Sequence, residues 1–440
     1  MRVQKLELVD PLRLYSAVSE FDCPFMLESR TKHEKKARFT YISFSPEFTV
    51  EVDEGGVRVD GRKISRERNV FRALKELRAD FECSGERFQG GYAGYVSYDA
   101  VHCFIDGEIR EPSFFGFYTH FFVYDHLRGE LFFCTHGNSD LNPERIVERA
   151  KREEVEEKRE ISSEILRCDS PKEDFMEMVE RAKEHVYAGD VFQVVLSREY
   201  EIESEASPIE IYSALRDVNP SPYMFLFEFK KKVLGASPET LASVEGRFMK
   251  VNPIAGTAPR GRNEEENRRL RERLLSDEKE RAEHIMLVDL ARNDIRKVCK
   301  SGSVKVTSFM DVVSYSDVQH IESEVVGELR DGMTVYDAIE AVFPAGTLTG
   351  APKIRAMEII DELERSRRRV YGGCVGYFSL SGHVDMAIAI RMVEIDDVLR
   401  VRAGAGIVAD SLPEREFYET ERKMAPVLRV LGVERNDYSC

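Results

Sequence analysis

The sequence predicts short strands with interspersed helices, a pattern compatible with an α+β fold. Two observations carry this. The first third is rich in aromatic and β-branched runs broken by short turns, and the second half mixes such runs with segments of helical periodicity. A length of 440 residues allows two or three domains or one large one, and 42% hydrophobic with 33% charged residues is a globular balance. The chain has no Trp, so 26 Phe and 17 Tyr must supply the large side chains of the core.

Segments 39–52 (FTYISFSPEFTVEV), 90–99 (GGYAGYVSYD) and 114–126 (FFGFYTHFFVYDH) predict strands. The charge-dense stretch from Glu144 to about Glu164 lacks Gly and Pro and predicts a solvated helix. It connects an N-terminal region, 1–165, to a C-terminal region, 166–440, the two sharing one core. Ser170-Pro171 makes a break, Asp174 to Ala188 is a helix ended by Gly189-Asp190, and 192–202 is a strand. Leu270 to Lys297 predicts one long helix. Helices at 335–342 and 353–365 flank the Gly-rich FPAGTLTGAP. The remainder alternates strands (CVGYFSL, MAIAIRMVEI, LRVRAGAGIVA) with a last helix, 414–431.

Composition excludes some functions. A net charge of −16 argues against a general nucleic-acid binder, which needs clustered Lys and Arg. No run approaches the ~20 apolar residues that span a bilayer, and the start lacks the apolar core of a signal peptide. Eight scattered cysteines form no CxxC pair, which disfavours zinc and dithiol chemistry. The expectation is a cytoplasmic protein.

Several constellations could carry chemistry. Glu280 and Glu283 are three apart, on one helical face, and two such carboxylates suit a hard cation such as Mg²⁺. On spacing alone a solvated acidic face, with His284 at the surface, is the commoner reading. Glu416, Glu419 and Lys423 share a face of the terminal helix, where a simple ion pair serves equally well. Three Gly-rich turns, 253–257, 343–353 and 402–411, each carry Thr or Ser and suggest carboxylate binding, although none is a P-loop. His320 is a candidate acid or base, and a lone histidine is more often structural. Arg391 ends an apolar strand pattern and needs an anionic partner, from the protein or from a ligand.

Taken together and in order, these strings resemble the large subunits of anthranilate synthase, within the wider family of chorismate-utilising enzymes. The matches are FMLES (25–29), GGYAGYVSYD (90–99), FQVVLSR (192–198), NPSPYMF (219–225), ASPET (236–240), PIAGT-x-PRG (253–261), the 278–294 helix and VQHIESEV (318–325). FPAGTLTGAPKIRAMEIIDELE (343–364), AIAIR (387–391) and AGAGIVADS-x-PE-x-E-x-x-E (403–419) continue them. The resemblance implies an α+β fold of two antiparallel β-sheets packed as a sandwich with helices outside. It implies Mg²⁺-dependent amination of chorismate by ammonia, with loss of pyruvate, giving anthranilate.

Residue by residue, Glu283 and Glu419 match metal ligands, with Glu280 and Glu416 as neighbouring acids. Arg391 and Tyr371 match groups holding the enolpyruvyl carboxylate, assisted by backbone near Gly404 and Gly406. Thr347, Lys423, Glu239, Thr257 and Gln193 match pocket positions, and His320 stands beside the ring. The motif that reads PIKGT in aminodeoxychorismate synthases has Ala255 here, so no lysine attacks the ring. Water-adding relatives carry a lysine base where Gln193 stands. Both differences leave ammonia as the nucleophile, with the aminodeoxychorismate synthase component as the alternative. Ala258 replaces a usual Arg.

Leu27, Glu28 and Ser29 match a tryptophan-binding element of feedback-inhibited relatives, with Pro220, Tyr223 and Met224 as its second wall. That element also leaves open a catalytically silent tryptophan-binding component. The resemblance further implies a separate glutamine amidotransferase subunit that delivers ammonia, since no glutaminase motif is visible, and hence a hetero-oligomer.

Overall fold

The computed structural model describes all residues except 31–37, 78–82, 84, 86, 138–139, 154–160, 315–317 and 434–440, and only the backbone at Thr257, Ser314 and Val318. Its described strands form two large sheets in which neighbouring strands run antiparallel. The first sheet runs from Arg2–Leu6 through Glu130–Thr135, His120–Asp125, Phe39–Ser43 and Phe25–Glu28 to Tyr223–Glu228. It continues through Lys232–Ser237, Met392–Ile395, Leu399–Ile407 and Gln193–Ser204 to Ser163–Cys168. The second contains Ile254–Pro259, Val318–Glu328, Phe248–Val251, Thr240–Glu245, Val384–Ile388 and Cys374–Ser379, followed by Gly91–Val96, Ser113–Tyr118 and Phe48–Asp53. Both sheets therefore take strands from either side of residue 165. No helix among the described residues is long and apolar enough to cross a membrane.

Aromatic residues fill the space between the sheets. Phe25, Phe225 and Phe227 from the first meet Tyr95, Phe114, Tyr118 and Tyr377 from the second. Ring pairs such as Phe25–Tyr118, with centroids 4.8 Å apart, take over the role a Trp would play. The helices Pro11–Val18, Pro208–Val218 and Pro413–Val430 cover the outer face of the first sheet. Val335–Val342 packs on the second sheet, and Lys353–Leu363 packs on the first-sheet strand Gln193–Ser204. Strands such as Gly91–Val96 are buried along their whole length, which is why they read as aromatic runs rather than as apolar–polar alternation.

The structure corrects three sequence expectations. The charge-dense segment is helical only over Pro143–Arg152, with Ile146, Val147 and Ala150 buried; 154–160 lie outside the described residues, and Ser163–Cys168 is a strand. The 270–297 helix is two helices, Glu264–Ser276 and Glu278–Arg296. They part at Asp277, which leaves the helical conformation and caps the second through bonds from the Lys279 and Glu280 amides. The apolar run at 384–395 is also two strands, one in each sheet, and Arg391 sits at the crossing with φ 53°. A left-handed conformation at a non-glycine residue stores strain and marks a position held by its surroundings.

Candidate active site

The site lies where the helices Glu278–Arg296 and Pro413–Val430 meet the strands Gln193–Ser204, Leu399–Ile407 and Val318–Glu328. Glu280 and Glu283 point inward. The Gln193 amide donates to Glu283 Oε1 at 3.1 Å, and a Cβ added at Gly256 would lie 3.0 Å from Glu280 Oε2. Gly256 has φ +68°, so it supplies both the turn and the close approach. Its carbonyl accepts from His320 Nδ1 at 3.0 Å, which fixes the proton on that nitrogen. Burial holds the His320 pKa below the ordinary histidine value, so the ring is neutral.

Glu419 and Lys423 come from the opposite helix. Lys423 Nζ lies 2.8 Å from Glu419 and donates to the Gly404 carbonyl at 2.8 Å. Gly404 thus contributes its carbonyl to the site. Gly406 leaves room for Gln193, whose Nε2 a Cβ at that position would overlap. The carboxylates feel one another. Burial raises the Glu280 pKa, and Glu283, Asp277 and Glu419 raise it further. Glu416 is raised as well, by burial first, with the Ser411 hydroxyl opposing. Burial also pushes Glu419 up, but Lys423 outweighs it and keeps that group ionised. The face expected on spacing alone to be solvated is therefore partly buried. His284 is fully buried within it, its Nε2 2.6 Å from Ser323 Oγ.

Glu239 and Thr347 face a small adjoining cavity of about 50 Å³, the Thr347 hydroxyl donating to the Glu239 carboxylate at 2.8 Å. Burial pushes the Glu239 pKa up to about 7, against the pull of Thr347 and Lys423. The Thr257 backbone pairs with His320, while its side chain lies outside the described atoms.

Arg391 is the unusual cation. Its guanidinium donates to the Lys423 carbonyl, and burial lowers its pKa, with Tyr371 and Glu419 acting against that. Among the described residues it has no carboxylate within ion-pair distance. Arg198, Arg368 and Arg402, all buried, are each matched by a glutamate. A half-buried guanidinium with no protein carboxylate within ion-pair distance is a place for a ligand carboxylate. Tyr371 stands beside it, and Glu394 holds the backbone there, accepting from the Val370 and Tyr371 amides at 3.1 and 3.2 Å. Sequence reasoning missed Glu394; its signal was a single acid inside the apolar MVEI strand.

A second cavity, of about 250 Å³, opens between the sheets and brings together Leu27, Glu28, Ser29, Tyr223 and Met224. Pro220 is not on its wall; Pro222 takes that place. Alternation along the strands divides the rest. Glu28 and Met224 are register partners whose side chains turn to the helix side. There Arg216 grips the Glu28 carboxylate at 2.7 and 2.8 Å, and Met224 packs in the core. Only the main chain of these two faces the cavity, a correction to their expected side-chain role.

A family model described as chorismate binding enzyme matches residues 22–429. The chain belongs to this family of chorismate-binding enzymes. Within it, the chain is 62% identical over 434 residues to anthranilate synthase component 1 of Thermococcus kodakarensis, covering 98% of this chain and 100% of that one. The protein of the same name from Archaeoglobus fulgidus is 54% identical over 431 residues, covering 98% and 100%. The crystal structure of anthranilate synthase component I from Streptococcus pneumoniae superposes with a TM-score of 0.79 at 35% identity, covering 89% of this chain and 92% of that one.

Proposed function

We propose that this chorismate-utilising lyase is the large subunit of an anthranilate synthase. It joins chorismate and ammonia to give anthranilate, pyruvate and water, the committed step toward tryptophan. The observation that carries the reading is the pairing of Arg391, a half-buried cation with no carboxylate within ion-pair distance among the described residues, with a facing set of glutamates. Chorismate presents two carboxylates, and such a site offers one cation directly and a metal-binding face for the other.

The glutamates fit Mg²⁺. Glu283 and Glu419 approach from opposite helices, and Glu280, raised first by burial, is raised further by the negative charge of Glu283, Asp277 and Glu419. The described residues hold no group of three or more His, Cys, Asp or Glu placed to bind a metal. Two carboxylates accord with Mg²⁺, which keeps several waters. Bound there, Mg²⁺ would supply charge stabilisation and orientation for the ring carboxylate. Replacing Glu283 with Gln is expected to raise the Mg²⁺ concentration for half-activity by at least roughly tenfold. A Mg²⁺ titration of the rate reads this, and an unmoved midpoint counts against Glu283 as ligand.

The protein's own groups handle the remaining demands. Arg391 and Tyr371 hold the enolpyruvyl carboxylate. Gln193 Oε1 is buried without a partner among the described residues and accepts an ammonia N–H, where a lysine would activate water. Ala255 lies in the strand opposite Ile321 and offers no amine to the ring. Glu239, half protonated near neutrality, gives its proton to the departing 4-hydroxyl. That role requires the protonated form, so kcat should fall as pH rises through about 7. Glu239→Gln cannot donate a proton; it should lower kcat by roughly 10²–10⁴ and lose that alkaline limb. A pH–rate profile that keeps the limb in the variant assigns it to another group.

The cavity between the sheets binds tryptophan as feedback inhibitor, with the indole against Tyr223, Pro222 and Leu27 and Ser29 at the polar end. A glutaminase subunit supplies ammonia in the cell, and ammonium replaces it in the assay. Purified protein with chorismate, ammonium and Mg²⁺ should yield fluorescent anthranilate. Aminodeoxychorismate or isochorismate as the product would overturn the assignment.

A further inference from the structure

Three residues after Arg391 stands a buried carboxylate to which the proposed reaction gives no part. Glu394 lies on the strand Met392–Ile395. Val393 packs into the helix-side core, while Met392 and Glu394 turn inward between the sheets. Burial pushes the Glu394 pKa up to about 7, with Lys231 pulling the other way, so an acid costs more here than an apolar residue would. An ion pair does not account for it. Lys231 Nζ stands 3.4 Å from Glu394 Oε2 but 2.7 Å from Glu111, its closer partner. The other oxygen, Oε1, accepts from the Val370 and Tyr371 amides. Those amides belong to the turn 368–373, which leads into the second-sheet strand Cys374–Ser379. Main-chain bonds tie the same turn to the start of the crossing segment: the Gly372 amide donates to the Ala389 carbonyl at 2.8 Å, and the Ala389 amide to the Gly373 carbonyl at 3.0 Å. Arg391 lies between these ties and Glu394, so the turn is fastened to the crossing segment on both sides of it. The Tyr371 amide also reaches the Arg368 carbonyl at 3.1 Å, but that bond stays within its own turn.

We propose that Glu394 is a positioning residue for the substrate: by accepting from the Val370 and Tyr371 amides across the sheet crossing, it sets Tyr371 against Arg391 so that both meet one carboxylate of chorismate. This rests on the reading of Arg391 and Tyr371 as the pair that holds that carboxylate.

Two near-isosteric variants of the full chain separate reach from charge, read by steady-state kinetics in excess ammonium and Mg²⁺. Glu394→Asp keeps the charge for Lys231 but is one methylene short of the amides; it should raise KM for chorismate roughly tenfold, with kcat within about twofold of the wild type. Glu394→Gln keeps a carbonyl acceptor at full reach and gives up the charge; its KM should stay within about threefold of the wild type. An ion-pair role reverses that order, and a merely stabilising role lowers kcat through the folded fraction while KM stays put. Thermal melting checks folding, and Glu394→Ser serves as the short variant if the Asp variant is unfolded. An unmoved KM in the folded short variant, or a Gln variant equally impaired in KM, overturns the role of Glu394. In a Tyr371→Phe background the Asp substitution should cost no more than about threefold, and the full factor there overturns action through Tyr371. Tyr371→Phe alone tests the underlying reading: if it leaves KM unmoved, the carboxylate role of Tyr371 falls, whatever the Glu394 variants do.

Discussion

Arg391→Ala is expected to lower kcat/KM for chorismate by roughly two to three orders of magnitude, most of it in KM. Truncating one partner of a buried, hydrogen-bonded charge pair costs about 2–5 kcal/mol, and each ~1.4 kcal/mol is a factor of ten. The effect should be large because, among the described residues, no carboxylate lies within ion-pair distance of Arg391, whose guanidinium has only the Lys423 carbonyl and the more distant charge of Glu419. Arg391→Lys should recover only part of the loss, since an ammonium restores the charge but not the planar fork. Its left-handed backbone adds a control. Arg391→Gly relieves that strain yet removes the cation, and it should be as inactive as the alanine variant. Steady-state kinetics with chorismate in excess ammonium measures all three. An unchanged KM in Arg391→Ala would remove this residue from carboxylate binding.

The second large effect concerns stability. Arg368 is 2% exposed and staples three elements. It donates to Glu364 at 2.6 Å on the helix Lys353–Leu363 side, to the Leu348 carbonyl at 2.6 Å and to the Val195 carbonyl at 2.8 Å. Arg368→Ala leaves the Glu364 carboxylate buried, with Ser197 and a longer contact to Arg402. Breaking a buried pair from one side costs about 3–5 kcal/mol, mainly through the charge left behind. The guanidinium-chloride midpoint should fall by that free energy divided by the slope, the slope itself staying unchanged. Arg368→Met combined with Glu364→Leu should recover part of the loss, because the uncompensated charge is then gone. Thr347 and Gln193 sit beside the elements this staple joins, so the alanine variant should also lose activity before it unfolds.

Particular residues show how far the sequence reaches. The strands at 39–52 and 114–126 were legible because β-branched and aromatic residues crowd there with turn residues between, and the structure places four strands over them. The ordered motifs also fixed family and fold. Individual site residues were a different matter. On local pattern Glu280, Glu283, Glu416 and Glu419 are two unremarkable acidic helix faces. What sets them apart is that the two helices face one another: burial and neighbouring carboxylates raise Glu280, burial raises Glu416, and Lys423 holds Glu419 down. That information lies in contacts between residues more than a hundred positions apart.

The reverse holds for Glu28 and Met224. The string match gave both to a ligand site, yet strand alternation turns their side chains to the opposite face, where Arg216 and the helix-side core take them. Pattern likewise could not show that 384–395 crosses from one sheet to the other at Arg391, because both halves are equally apolar. The sequence by itself determined the class of fold, the family and the short list of chemical groups, since these follow from residue type and local order. Tertiary structure decided which groups face each other, which are dry and which cation lacks a protein partner, because desolvation and pairing exist only once distant segments pack together.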